Sequence, residues 1–276
     1  MRREANLYAG TALVLERPEE LAKLRKDEAA LVGPALRGLF HAYPRSFRTL
    51  AEETAFLPLA TWLRRMAKAG VCELVIDRPS RSYARQGVGH SVSLRVGVGD
   101  AAVRLSGPIA RVPKRCPSPL AEVLRRVGLV TLQYGAAGGL LAPKEQRSLT
   151  SLYAEIVESW RPSGARDDGV DREALQREIY KASVALGVFD ASLGYDAYAA
   201  MVLAASAAAA REAATLPRPA APKAYFAFFQ DACGSYVTTN PTGATWYVPM
   251  GGGDYVAGPP IERWLARFFR PGFVWT

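Results

Sequence analysis

Tyr225-Phe226-Ala227-Phe228-Phe229-Gln230-Asp231-Ala232-Cys233-Gly234-Ser235-Tyr236-Val237, followed by Thr245-Trp246-Tyr247-Val248 and by Ile261-Glu262-Arg263-Trp264-Leu265-Ala266-Arg267-Phe268-Phe269, decides the fold class. Aromatic and β-branched residues dominate the first two runs, which predicts strands over Ala224–Gln230, Ser235–Thr239 and Thr245–Val248. Asn240-Pro241-Thr242-Gly243 supplies the turn between the last two. Phe226 and Phe228 fall on one strand face and read as core. The third run changes to helical spacing, and a helix over Pro259–Phe269 buries Ile261, Trp264, Leu265 and Phe268. Strands grouped together and closed by a helix mark an α+β protein.

In the N-terminal part a first helix is expected from Pro18, with Leu21, Leu24, Glu28 and Leu31 in register and a stop at Gly33-Pro34. A second runs from Pro58 to Lys68 and buries Leu59, Trp62, Leu63 and Met66. The period then changes to two. Val71–Ile76 reads as a strand, and Val92, Leu94 and Val96 pair with Val103 and Leu105 as a hairpin closed by Gly97-Val98-Gly99-Asp100. A helix over Ser118–Val127 has Ser118 as its N-cap, and Leu129–Tyr134 forms a strand before the glycine-rich stretch Gly135–Gly139. Farther along, Leu149, Leu152, Ile156 and Trp160 define a helix that ends at Pro162, and residues 162–169 form a polar loop. Asp171 caps a helix buried through Leu175, Ile179, Ala182 and Leu186. An alanine-rich helix covers Tyr195–Ala214, and Leu216–Lys223, with three prolines, is a stiff connector. The whole predicts an α+β fold with a mixed or antiparallel sheet flanked by helices, and an N-terminal helix and β-hairpin extension. Residues 1–116 form a basic α+β region and residues 117–276 an α+β domain with a long helical middle, or the two make one continuous domain.

An apolar share of 49% over 276 residues is ample for a core. No run is long and apolar enough to span a membrane, and the apolar run after Met1-Arg2-Arg3-Glu4 is interrupted by Glu16 and Arg17, so no secretory signal is read and the cytoplasm is expected. Cys72, Cys116 and Cys233 are an odd, widely spaced set without a C-x-x-C pair, which reads as buried free thiols rather than disulfides or a zinc site. The formal charge of +9 is uneven. Residues 1–128 carry 22 Lys/Arg against 12 Asp/Glu, and residues 129–276 carry 13 against 14. A basic half suits nucleic acid or an acidic protein, although 28 of the 35 basic residues are Arg, which also fits compositional bias.

Chemical motifs are sparse. His41 and His90 are the chain's two histidines, neither accompanied by a G-x-S-x-G elbow, and both read as structural. Gly97-Val98-Gly99-Asp100-Ala101-Ala102 matches a loose dinucleotide fingerprint but continues into a strand instead of a helix. Gly135–Gly139 lacks the Gly-Lys-Ser/Thr ending of a phosphate loop and reads as a close backbone approach. Asp167-Asp168 lies in the polar loop, and Asp231 and Asp254 stand singly beside glycine turns. No cofactor or metal is expected. For nucleic acid the best segment is Arg78-Pro79-Ser80-Arg81-Ser82-Tyr83-Ala84-Arg85-Gln86, in which Arg78, Arg81 and Arg85 could hold phosphate and Tyr83 could stack a base, with Arg111, Lys114 and Arg115 nearby.

The C-terminal order of aromatic strand, Asp–Gly turn, two further strands and amphipathic helix resembles the end of the SMI1/KNR4 (SUKH) family. Pro117–Gly139 is similar to that family's entry helix and glycine-containing turn. The similarity covers residues 117–139 and 223–269, whereas the helical stretch 146–214 is longer than the family's middle and residues 1–116 have no counterpart. The resemblance implies a noncatalytic bacterial immunity protein that binds a toxin or effector. Aromatic anchors dominate such interfaces, so Tyr225, Tyr247 and Tyr255, with Asp231 and Asp254 in the adjoining turns, are the partner-binding candidates. A nucleic-acid binder and an enzyme with an unsignalled site are the competing classes.

Overall fold

The computed structural model describes residues 1–5, 10–85, 89–99, 102–132, 138–159, 172–231, 233–249, 254–271 and 273. The chain divides into two compact units, one of residues 1–147 and 223–276, the other of residues 148–222. Residue 116 does not mark the division, because strands on either side of it pair with each other.

The first unit is built on ten strands: β1 (Arg2–Ala5), β2 (Thr11–Leu15), β3 (Cys72–Arg78), β4 (Ser91–Val96), β5 (Val103–Leu105), β6 (Val130–Leu132), β7 (Gly139–Leu140), β8 (Phe226–Gln230), β9 (Tyr236–Thr239) and β10 (Thr245–Val248). They lie side by side in chain order, and every neighbouring pair is antiparallel. The fold is therefore α+β with an open antiparallel sheet. Pairing of β5 with β6, Val103 opposite Leu132, joins residues 1–116 to the C-terminal strands in one sheet. The hairpin over residues 91–105 is present within this sheet. Strands β1, β2 and β7 are additions to the expected set. Strand β1 is charged, and β7 is two residues long.

Helices fill the connections. Between β2 and β3 come α1 (Lys26–Leu31), α2 (Pro34–His41), α3 (Arg45–Glu53) and α4 (Leu57–Met66). The short α5 (Arg81–Arg85) follows β3, α6 (Ser118–Arg126) follows β5, and α10 (Ile261–Phe268) closes the chain. Helices α7 (Leu149–Ser159), α8 (Arg172–Ala185) and α9 (Gly194–Ala214) make the second unit.

The helix expected from Pro18 is interrupted. A 3₁₀ turn covers Pro18–Lys23, and Leu24 and Arg25 are extended before α1 begins. The Glu28 carboxylate accepts the Arg25 N–H at 2.9 Å, which restarts the helix where apolar spacing alone suggests continuity. Gly33-Pro34, read as a stop, begins α2. Ser118 likewise is not the N-cap of α6: Pro117 holds that position, and no side chain caps the helix.

One sheet face carries the core. Leu13, Leu15, Leu74, Ile76, Leu94, Val96, Val103 and Leu105 meet the buried stripes of α2, α4, α6 and α10 there. The expected stripes of α4 (Leu59, Trp62, Leu63, Met66) and α10 (Ile261, Trp264, Leu265, Phe268) are all buried. A register shift in β8 between Ala227 and Phe229 changes one expectation: Phe228 and Phe229 both reach Trp264, with ring centroids 4.9 Å away, so three phenylalanines of this strand serve the core rather than two. Two glycines meet tight demands. A Cβ on Gly138, at φ +65, would lie 1.9 Å from the Gln230 carbonyl oxygen, and one on Gly243, at φ +85, would lie 2.9 Å from Ile261.

In the second unit, Leu149, Leu152, Tyr153 and Ile156 of α7 are buried, and Tyr153 donates its hydroxyl to the Pro217 carbonyl at 2.5 Å. Tyr180, Phe189, Tyr195 and Tyr198 cluster between α8 and α9. The face of α8 expected to be buried is open instead: Ile179 is 48% exposed, Leu186 just past the helix is 78% exposed, and Ala182 is exposed too. Trp160, Pro162, the loop 162–169, Asp171 and the Leu175 side chain lie outside the described residues.

Candidate functional site

The aromatic and acidic residues singled out near the C-terminus are distributed by their elements in different ways. Tyr225 and Tyr255 are each 8% exposed, and the Tyr255 hydroxyl donates to the Pro249 carbonyl at 3.2 Å. Tyr247 on β10 is half-buried and packs against the core. Asp231 is buried in the β8–β9 turn, where its Oδ1 accepts the Ser235 N–H at 2.8 Å. It shapes the turn rather than a partner-facing surface. Asp254 is exposed. Of the five, Tyr225, Tyr255 and Asp231 are buried, Tyr247 is half-buried and Asp254 is exposed.

The arginine segment is divided as well. Arg78 is ion-paired with the buried Glu28, and Arg81 and Arg85 of α5 are exposed. The Tyr83 side chain and Gln86 are outside the described residues. Arg115 lies over the Phe226 ring, 4.7 Å from its centroid, and donates to the Gln146 carbonyl at 3.2 Å. Both histidines are exposed, His41 in the last turn of α2 and His90 just before β4. Cys72 and Cys116 are buried free thiols, and burial pushes them up to about 12 and about 11, whereas Cys233 is exposed, contrary to expectation.

The sheet face opposite the core carries an ionic lattice. Arg95 donates to Glu73 at 2.5 Å and to Glu4 at 2.9 Å, and Arg2 links Glu4, Glu16 and Glu73. These long side chains spread over a strand surface on which Val14 and Val75 are fully buried. Hydrogen bonds from Arg95 hold the Glu4 carboxyl at about 2, well below its ordinary value of 4.5, and Glu4 in turn raises Arg95. Beside it, Arg104 reaches Asp77 at 2.5 Å, while Asp77 Oδ1, Ser93 Oγ and Arg104 Nε find no partner among the described residues. A cleft of about 530 Å³ opens at the other end of these strands, lined by Arg2, Arg17, Phe40, Tyr43, Cys72 and Glu73. The groups around it are committed to structure: Tyr43 donates to the Met66 carbonyl at 2.9 Å, and Arg2 is held by carboxylates.

A different surface gathers unpaired charge. On α4, Leu57, Thr61, Arg64 and Lys68 just past its end are exposed at helical spacing, with Leu57 at 69%. Neighbouring α10 presents Arg263 and Arg267, and Arg270 follows just past its end, all exposed. The two helices are fixed to each other by Trp62 against Phe269, with ring centroids 5.1 Å apart, and by Arg65 Nη2 donating to the Phe269 carbonyl at 3.0 Å. The bond from Tyr43 to Met66 brings the start of α3, with exposed Arg45 and Arg48, to the same end of α4. None of Arg45, Arg48, Arg64, Lys68, Arg267 and Arg270 forms an ion pair among the described residues. Sequence reasoning misses this corner because it assembles from segments some 200 positions apart and because the short stripe Phe47, Leu50 and Ala51 of α3 is not read as a helix.

No protein-family model, curated protein or solved structure matches the chain. Among the described residues, no helix is long and apolar enough to cross a membrane, and no group of three or more His, Cys, Asp or Glu is placed to hold a metal ion.

Proposed function

We propose that the chain is a noncatalytic protein-binding module, an immunity protein that works in the bacterial cytoplasm and neutralises a cognate toxin by direct contact through the face formed by α3, α4 and α10. The observation that carries this reading is the α4 stripe, in which Leu57 stands exposed on the same helical face as Arg64 and Lys68. Arginine is enriched among binding hot spots, Leu57 adds apolar area beside it, and the contacts between α4 and α10 hold the face in place before a partner arrives. The C-terminal resemblance to the SUKH family points to the same class.

The experiment is co-expression with the toxin encoded beside the gene. Growth should be protected and the two proteins should co-purify, and Leu57→Asp with Arg64→Glu should abolish both while the thermal melt is retained. Protection that survives this double substitution moves the interface elsewhere. Failure of the wild-type protein to protect against any neighbouring toxin rejects the immunity reading.

A further inference from the structure

We infer that the basic corner where α3 begins and α4 and α10 end docks a bounded acidic surface of a folded protein partner. The inference rests on the protein-binding reading above and adds the chemistry of what is bound.

The simplest account of cations at helix ends is electrostatic: Lys and Arg near a C-terminus complement its unsatisfied carbonyls. That accounts for Arg64 and Arg65 in the last turn of α4 with Lys68 just past it, and for Arg267 in the last turn of α10 with Arg270 just past it. It does not account for α3. Its first turn holds Arg45 and Arg48 and no acidic residue, and its last turn holds Glu52 and Glu53 and no basic one. Both ends carry the sign the helix dipole disfavours. The acidic end is compensated by Arg126, which donates to the Glu53 carboxylate at 2.6 Å and to the Glu53 carbonyl at 2.8 Å. The basic end is directed instead to the corner already occupied by Lys68 and Arg270. The charge order of α3 thus opposes its own helix and concentrates positive charge at one place.

The extent of the corner favours an acidic protein over a nucleic acid. Duplex DNA presents a charge every ~1.7 Å along its axis and calls for a continuous basic track. Here the positive region is bounded by exposed Glu52 at the far end of α3, where Glu53 is already paired with Arg126, and by exposed Glu262 in the first turn of α10. Along α4 it gives way to Thr61 and the exposed Leu57, whose side chain offers apolar contact area beside the cations. Complementary charge at such a site speeds encounter and selects against basic partners.

The test uses the full chain and a fluorescein-labelled dodecaglutamate peptide followed by anisotropy. Binding should weaken steeply as salt rises from about 50 to about 200 mM, and combining Arg45→Glu, Lys68→Glu and Arg267→Glu should weaken it at least about tenfold, while Arg81→Glu with Arg85→Glu leaves it unchanged. Circular dichroism melts check that the variants fold. Peptide binding indifferent to the corner substitutions overturns the proposal. So does short duplex DNA that binds through the same residues more tightly than the peptide, because the corner then belongs to nucleic acid. A toxin that is neutralised with no dependence on salt or on the corner arginines overturns this inference but leaves the protein-binding reading standing. Peptide capture at the corner without protection from any toxin does the reverse.

Discussion

Helices α10 and α8 both carry apolar residues at helical spacing, and among the described residues only α10 buries them. In α10, Ile261, Trp264, Leu265 and Phe268 are all inside, with Trp264 set between Phe228, Phe229 and a stacked Phe268 at 5.4 Å. In α8 and just past its end, Ile179 and Leu186 are open to solvent, while the helix turns Tyr180 toward Phe189, Tyr195 and Tyr198. Periodicity specifies that a helix forms and which residues share a face. It does not specify that the face is covered. A ten-stranded sheet stands opposite α10, whereas the partner of α8 is another helix, and aromatic rings decide which side of α8 they share.

The largest expected effect breaks the sheet-backed side of this contrast. Trp264→Ala removes the residue on which the β8 phenylalanines and α10 converge, and should cost about 3–5 kcal/mol, a large share of an ordinary domain's stability. Urea denaturation followed by far-ultraviolet circular dichroism measures it. A shift below about 1 kcal/mol would show that the aromatic cluster repacks and that α10 is not the keystone its burial indicates. Tyr247→Ala should behave as a smaller core loss rather than a binding defect, since that ring packs inward.

The ionic face of the sheet comes next. Arg95→Met leaves a Glu73 oxygen buried without its donor, although Arg2 still holds the other, so about 2 kcal/mol should be lost at neutral pH. The pH dependence sharpens this. Glu4 sits at about 2 in the folded protein against 4.5 ordinarily. A depressed carboxyl contributes stability that is present above its unfolded value and lost as pH falls toward the folded one. Wild type should therefore lose stability between pH about 4.5 and about 2, and Arg95→Met should lose less over that range, because its Glu4, left with Arg2 alone, is less depressed. Parallel slopes for the two proteins would remove Arg95 as the cause.

The elements of this fold are unequally legible in the sequence. Helices α4, α6 and α10 and the strands from Cys72 to Leu105 follow from spacing, because each buries a full stripe against one sheet. Strand β1 is illegible because Arg2 and Glu4 read as surface yet roof the opposite face through ion pairs that no local window contains. The break after Lys23 depends on Glu28 accepting a backbone N–H, which spacing treats as one more position on a helical face. The candidate site is least legible of all. Its cations are spread over α3, α4 and α10, whereas the run from Arg78 to Arg85, conspicuous in sequence, commits Arg78 to Glu28.

A smaller effect with the opposite sign is expected on α3. Arg45→Glu places a carboxylate where the helix dipole favours one and should raise stability by about 0.3–1 kcal/mol, read from the urea midpoint at low ionic strength and fading as salt is added. A stabilising substitution that nevertheless removes partner binding is what a residue retained for recognition should give. A destabilised Arg45→Glu protein would mean that the arginine has a structural partner, and the reversed charge order of α3 would lose its functional reading.

The smallest effect probes the open side of the contrast. Ile179→Lys and Leu186→Lys replace side chains already 48% and 78% exposed, and each should change stability by no more than about 0.5 kcal/mol. A lysine at either position keeps its ammonium in water and lays its alkyl stem where the apolar side chain was, so neither desolvation nor a cavity enters. The urea midpoint should match wild type at every protein concentration. A loss well above that margin would show that this face is covered in solution, and a loss that grows on dilution would show that the cover is a second copy of the chain. Helix α8 would then obey its periodicity after all, with the opposing layer supplied by another molecule rather than by a sheet.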